Sequence, residues 1–174
     1  PTIVNPSEDD DVLSADASSS ALRGSYDITV QQLASGSRIT TDAGAFTSSS
    51  DPVLSSGTGS LTFSIPGGDS FTINVDSGTS LVDLREAINS ADNNFGVTAN
   101  IIDTGTAEGP RLVFLSEETG DGNDLVINND TGAAELDRLS TAGGTNNISA
   151  ANIESAKNAI AFVDGIEVQS QSNK

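Results

Sequence analysis

Leu84-Arg85-Glu86-Ala87-Ile88-Asn89-Ser90-Ala91-Asp92-Asn93-Asn94-Phe95-Gly96-Val97-Thr98-Ala99-Asn100 sets a helix, a turn and a strand in succession with no spare residue. Thr79 or Ser80 supplies a side-chain cap, and Asp83 completes a capping box if Ser80 is the cap. Leu81, Leu84, Ile88 and Ala91 recur at spacings of three and four and share one helix face, while Asp83, Arg85, Glu86 and Asn89 look outward. Asp92-Asn93-Asn94 stops the helix, because short polar side chains compete for backbone hydrogen bonds. Gly96 allows the positive φ of a reversal, and Val97, Ala99 and Ile101 then alternate as a half-buried strand.

Upstream, Leu61, Phe63 and Ile65 face one way, Pro66-Gly67-Gly68-Asp69 turns, and Phe71, Ile73 and Val75 answer on a return strand. Downstream, a Gly-rich turn through Gly109-Pro110 leads to strands Arg111 to Leu115 and Leu125 to Asn128, which share one core with the helix and hairpin. Thr131 to Leu139 reads as a short helix, Ala142 to Asn147 as loop, and Ser149 as the cap of a helical stretch through Ala156. A second hairpin joins Asn158 to Val163 with Ile166 to Gln169 through Asp164-Gly165, a pair suited to a positive-φ turn. Strands are expected over Val12 to Ala17 and, with Tyr26, Ile28 and Val30 on one buried face, over Gly24 to Leu33, behind a solvated acid run, Ser7 to Asp11. Ser35 to Ser60, rich in Ser, Gly, Thr and Asp, reads as irregular chain crossing between domains. The expected class is mainly β with a minor α component (α+β).

Composition excludes several functions. The 174 residues carry 25 acids against 7 bases, a net charge of -18. Such a surface repels phosphate backbones and anionic headgroups, so nucleic acid and membrane surfaces are not expected partners. No stretch approaches the roughly 20 apolar residues of a membrane span. The chain has no Cys and no His, which removes disulfides, thiolates and the Ser-His-Asp, Cys-His and zinc-hydrolase arrangements. Acid pairs such as Glu117-Glu118, Asp121-Asp124 and Asp9-Asp10 are read as solvated. A glycosidase needs two carboxylates about 5 to 9.5 Å apart, but aromatic residues here are only 4% with no Trp, so a sugar platform is lacking. Asp121-Gly122-Asn123-Asp124 lacks the spacing and terminal Glu of a calcium loop and reads as an Asx-rich turn. Arg23, Arg38, Arg85, Arg111 and Arg138, scattered among acids, are expected to form local salt bridges. No catalytic, cofactor-binding or metal-binding residue is assigned.

Four segments, in order, resemble one family. Leu84-Arg-Glu-Ala-Ile-Asn followed by Phe95-Gly-Val-Thr-Ala resembles the IN motif of flagellar axial proteins. Gly24-Ser-Tyr-Asp-Ile-Thr-Val-Gln-Gln-Leu-Ala, Arg111-Leu-Val-Phe-Leu-Ser-Glu-Glu-Thr-Gly and Asn158-Ala-Ile-Ala-Phe-Val-Asp-Gly-Ile-Glu-Val resemble the flagellar filament cap family, hook-associated protein type two or FliD. The resemblance implies a head region of two β-rich domains. Residues 1-38 and 157-174 would form a discontinuous first domain, truncated at its C-terminus, and 39-156 an inserted domain containing the IN motif at 79-101, whose amphipathic helix packs on its strands. It also implies an exported, non-enzymatic subunit at the filament tip, with flagellin and other cap subunits as partners in a homo-oligomeric ring. With the family's helical legs outside these limits, the fragment is expected to be monomeric or weakly associating. The alternative is an adhesin-like module binding host glycans or mucin.

Overall fold

The computed structural model describes residues 14–16, 18–22, 24–143 and 146–174. The expected acid run and half of the expected strand over Val12 to Ala17 lie outside the described residues; Ser14 to Asp16 have no regular structure. Among the described residues the architecture is three antiparallel sheets and one α-helix.

The hairpin forms as its alternation predicts. β3 (Thr58–Ser64) pairs with β4 (Ser70–Asp76), and Leu61, Phe63, Phe71, Ile73 and Val75 are all buried. β7 (Val126–Asn129) pairs on the other side of β3. The helix α1 (Leu81–Asn89) starts at Ser80, whose hydroxyl accepts from the Asp83 amide while the Asp83 carboxylate accepts from the Ser80 amide. Leu81, Leu84 and Ile88 are fully buried, each contributing roughly 1.5 to 3 kcal/mol. Two further first-turn amides donate to loop carbonyls, Leu81 to Asp51 and Val82 to Ser49, so the helix start is satisfied from within the chain.

After the C-cap at Ser90, the Asn94 side chain closes the reversal: its amide donates to the Ile88 and Val97 carbonyls, and its oxygen accepts from the Gly96 and Val97 amides. Gly96 sits at φ 110. Asn89, expected to look outward, instead pairs with both backbone groups of Ala99 at 2.7 and 2.9 Å and fastens the helix to β5 (Val97–Asp103).

β5, β6 (Pro110–Thr119), β2 (Gly36–Thr40) and β8 (Ile153–Glu154) form the second sheet, in the order β5-β6-β2-β8. β2 corrects the sequence reading, which assigned this stretch to irregular chain. Its inward residues are Ser37 and Ile39, followed by buried Thr41 just past its end, so polarity hides the alternation; the Ser37 and Thr41 hydroxyls accept from the Leu125 and Leu112 amides inside the core. Stacked Phe63 and Phe71 rings, 4.9 Å apart, and the Phe63–Phe114 contact at 5.7 Å join the two sheets in one core.

Ala134–Leu139 is a 3-10 helix. The capped helix expected from Ser149 to Ala156 is a single 3-10 turn, Ala150–Asn152, followed by β8. Ser149 makes no cap because its amide and hydroxyl donate to the Asp42 carboxylate instead. The third sheet, β1 (Ile28–Gln32), β9 (Ala159–Val163) and β10 (Ile166–Ser170), has β9 at its centre. Its hairpin turns at Asp164 (φ 50) and Gly165 (φ 82), both positive as a tight antiparallel turn requires.

Candidate functional site

The third sheet leaves aliphatic side chains in water, and the face of Tyr26, Ile28 and Val30, expected to be buried, is exposed, on a strand that spans only Ile28–Gln32. Antiparallel register sets Ile28, Val163 and Ile166 in one row and Val30, Ala161 and Val168 in the next, so six aliphatic side chains share one face. Ile28, Val30, Ile166 and Val168 are 42%, 37%, 70% and 48% exposed, and none of the six belongs to the buried core. The other face is mixed, with Phe162 between Thr29 and Glu167, and Ile160 between Gln32 and Gln169. A register shift between Val30 and Gln32 moves Gln32 onto that mixed face. Nothing among the described residues covers the aliphatic face. A contiguous apolar patch on a chain of net charge -18 marks an interaction surface.

The polar groups elsewhere hold structure. The Asp51 carboxylate is kept ionised below its ordinary range by the Thr47 hydroxyl, then by the Ser48 and Thr47 amides and Arg138. Asp83 is lowered by the Ser80 hydroxyl and amide, and Glu135 by the Ser55 amide and hydroxyl. Arg138, expected in a salt bridge, donates to three carbonyls: Ala45 at 2.8 Å, Pro52 at 3.2 Å and Val53 at 3.1 Å. Its guanidinium carbon lies 4.2 Å from the Phe46 ring centroid. Burial lowers its pKa, against the raising effect of Glu135 and Asp51. Arg138 thus ties the loop from Ala45 to Val53 onto the core.

Among the described residues the one salt bridge is Arg85–Glu86 at 2.8 Å, and Arg111 donates to the Thr41 carbonyl. The expectation of local ion pairs therefore holds for Arg85 and fails for Arg38, Arg111 and Arg138, the last two because backbone carbonyls take their guanidinium donors instead. Arg23 lies outside the described residues.

The acid pairs do not converge on a cleft. Glu117 and Glu118 are neighbours on β6 and so point to opposite faces. Asp124 accepts the Ala156 amide, and the Asp121 amide donates to Asn158, which makes that segment a bonded turn. Asp9 and Asp10 fall outside the described residues. No group of three or more potential metal-ligating side chains occurs among the described residues, and no helix there is long and apolar enough to cross a membrane.

Two family models match the chain: the flagellin hook IN motif over residues 60–117 and the flagellar hook-associated protein 2 N-terminus over residues 2–37. Flagellar hook-associated protein 2 of Aeromonas caviae is 37% identical over 170 residues, which is 98% of this chain and 34% of that protein. The crystal structure of FliD (HAP2) from Pseudomonas aeruginosa PAO1 is 34% identical with a TM-score of 0.67, covering 90% of this chain and 70% of that one. The D2-D3 domains of the flagellar cap protein FliD from Escherichia coli share 25% identity with a TM-score of 0.71, covering 90% of this chain and 77% of that one. The chain spans about a third of the length of the curated relatives it matches.

Proposed function

Because the chain belongs to the flagellar hook-associated protein 2 (FliD) family, we propose that it is a non-catalytic structural part of a bacterial flagellar filament cap, exported to the filament tip, where it assists flagellin folding and insertion. Its partners are flagellin and other cap subunits, and its work is the presentation of rigid β-rich surfaces. The observation that carries this reading is the uncovered aliphatic face of the β1-β9-β10 sheet, beside a unit that buries its own core completely. A sheet that leaves an aliphatic face in water gains stability from protein laid against it. The adhesin alternative has no comparable support.

We also propose a two-domain division, with the first boundary set at Ser35 instead of between residues 38 and 39, so that the inserted unit runs between the crossing points Ser35 and Lys157. The support is that β1 pairs with β9 across more than a hundred residues, while β2 lies wholly in the β5-β6-β2-β8 sheet. On this reading the 174-residue chain by itself is monomeric in dilute buffer.

The test is complementation. A flagellated strain deleted for its own hook-associated protein 2 receives that gene with this chain replacing the corresponding region. Filaments on the cells and little flagellin in the medium are expected. Bald cells with abundant secreted flagellin, despite normal export of the hybrid, would refute the proposal.

A further inference from the structure

The two crossing chains would form a hinge if left alone. Ser35 and Lys157 exchange backbone hydrogen bonds at 3.0 and 2.9 Å, a single bridge between two strands of chain, and a single bridge permits bending about its axis. The segment that follows β10 removes that freedom. The Asn173 side chain takes the place of a strand partner for Ala34: its oxygen accepts the Ala34 amide at 2.7 Å and its NH2 donates to the Ala34 carbonyl at 3.0 Å. Two residues earlier, the Gln171 carbonyl accepts from the Thr119 hydroxyl at 2.6 Å, and the Gln171 side chain donates to the Asp121 carbonyl at 3.1 Å.

The loop from Thr119 to Asp124, which belongs to the core-bearing unit, also grips the second crossing chain. The Asp121 amide donates to the Asn158 side chain and the Asp124 carboxylate accepts the Ala156 amide, both at 2.8 Å. Ala34 and Ala156 are 6% and 3% exposed, so the backbone is shielded at those two points, while the bonds of Gln171 and of the Asp121 amide lie at the surface. Gly120 makes the close approach possible: a Cβ there would lie 2.5 Å from the Gln171 Cβ and 2.8 Å from its Cα, and its φ is +100.

We infer that Gln171 to Asn173, seated on Gly120, is a latch that fixes the angle between the aliphatic-faced sheet and the core-bearing unit. A partner that touched the aliphatic face and the core-bearing unit together would otherwise order the hinge at the expense of affinity. The inference does not depend on the cap reading, because it concerns the isolated chain.

The chain has no Cys, so spin labels can be placed at Glu167→Cys on β10 and Asp92→Cys beyond α1, both exposed positions. Pulsed dipolar spectroscopy of the otherwise unaltered chain is expected to give one narrow distance distribution. Gly120→Val, which clashes with Gln171, and Asn173→Asp, which sets a carboxylate against the Ala34 carbonyl, are each expected to broaden or shift it. Amide exchange reads the same event locally: in Asn173→Ala, which removes the acceptor of the Ala34 amide, that amide should exchange about tenfold faster, while the Leu61 and Phe63 amides of β3 keep their protection. Should Gly120→Val fail to fold, Asn173→Asp decides alone. Distance distributions in the variants that coincide with the parent's would overturn the latch.

Discussion

Replacing Arg138 by Met keeps the aliphatic stem and removes the guanidinium, which isolates what the charged fork contributes to the loop from Ala45 to Val53. The Nη1 bond to Ala45, at 2.8 Å, is a hydrogen bond from a charged donor, worth about 1.5 to 3 kcal/mol. Nη2 is shared between Pro52 and Val53 at 3.2 and 3.1 Å, so the pair counts as roughly one more such bond at the lower end of that range. Stacking on Phe46 adds about 0.5 to 2 kcal/mol. Against these stands the buried Nε, which has no partner among the described residues and costs about 1 to 3 kcal/mol. The balance is a loss of about 3 kcal/mol in Arg138→Met, or about 6 to 12 °C in melting temperature for a chain of this size. Thermal unfolding followed by circular dichroism at neutral pH measures it. Arg85→Met is the control, because its ion pair with Glu86 is solvent-exposed and should be worth under about 1 kcal/mol. Arg138→Lys is expected to recover less than half of the loss, since an ammonium lacks the fork that meets three carbonyls. If Arg138→Met melts within 2 °C of the parent, the loop is held by its apolar residues, Phe46, Val53 and Leu54, and the clamp reasoning fails.

Ser80→Ala removes the cap of α1 and is expected to cost about 1 kcal/mol, checked by urea unfolding with the slope unchanged. Lowering the pH tests the depressed carboxylates. Asp51, Asp83 and Glu135 have folded-state pKa values below their ordinary ones, so their stabilisation is complete at neutral pH and is lost as pH falls through the folded values. The melting temperature should therefore drop below about pH 4; a steady rise down to pH 3 would mean that relief of the repulsion among 25 acids outweighs these bonds. On the aliphatic sheet face, Ile166→Thr with Val168→Thr should reduce binding of a hydrophobic dye while leaving the melting temperature within about 2 °C, because these side chains are exposed in the chain on its own. Unchanged dye binding would show that the patch is not the accessible apolar surface.

How much of this was legible before folding depended on whether neighbours in sequence were also the physical partners. The hairpin of β3 and β4, the Ser80–Asp83 box, the buried stripe Leu81, Leu84 and Ile88, and the Asp164-Gly165 turn are all local, and spacing alone specified them. β2 escaped because Ser37 and, just past its end, Thr41 are polar and become core residues only when the Leu125 and Leu112 amides, over seventy positions away, need acceptors. Arg138 looked like a surface cation for the same reason: its three carbonyl partners lie more than eighty residues upstream, and only the folded loop brings them together. The aliphatic face was present in the sequence as the alternation of Ile28 and Val30 and of Ile166 and Val168, yet alternation says only that one side is apolar. That this side stays open while β3, β4 and α1 close theirs was decided by tertiary structure, because burial is a property of what else arrives in space and not of the strand that awaits it.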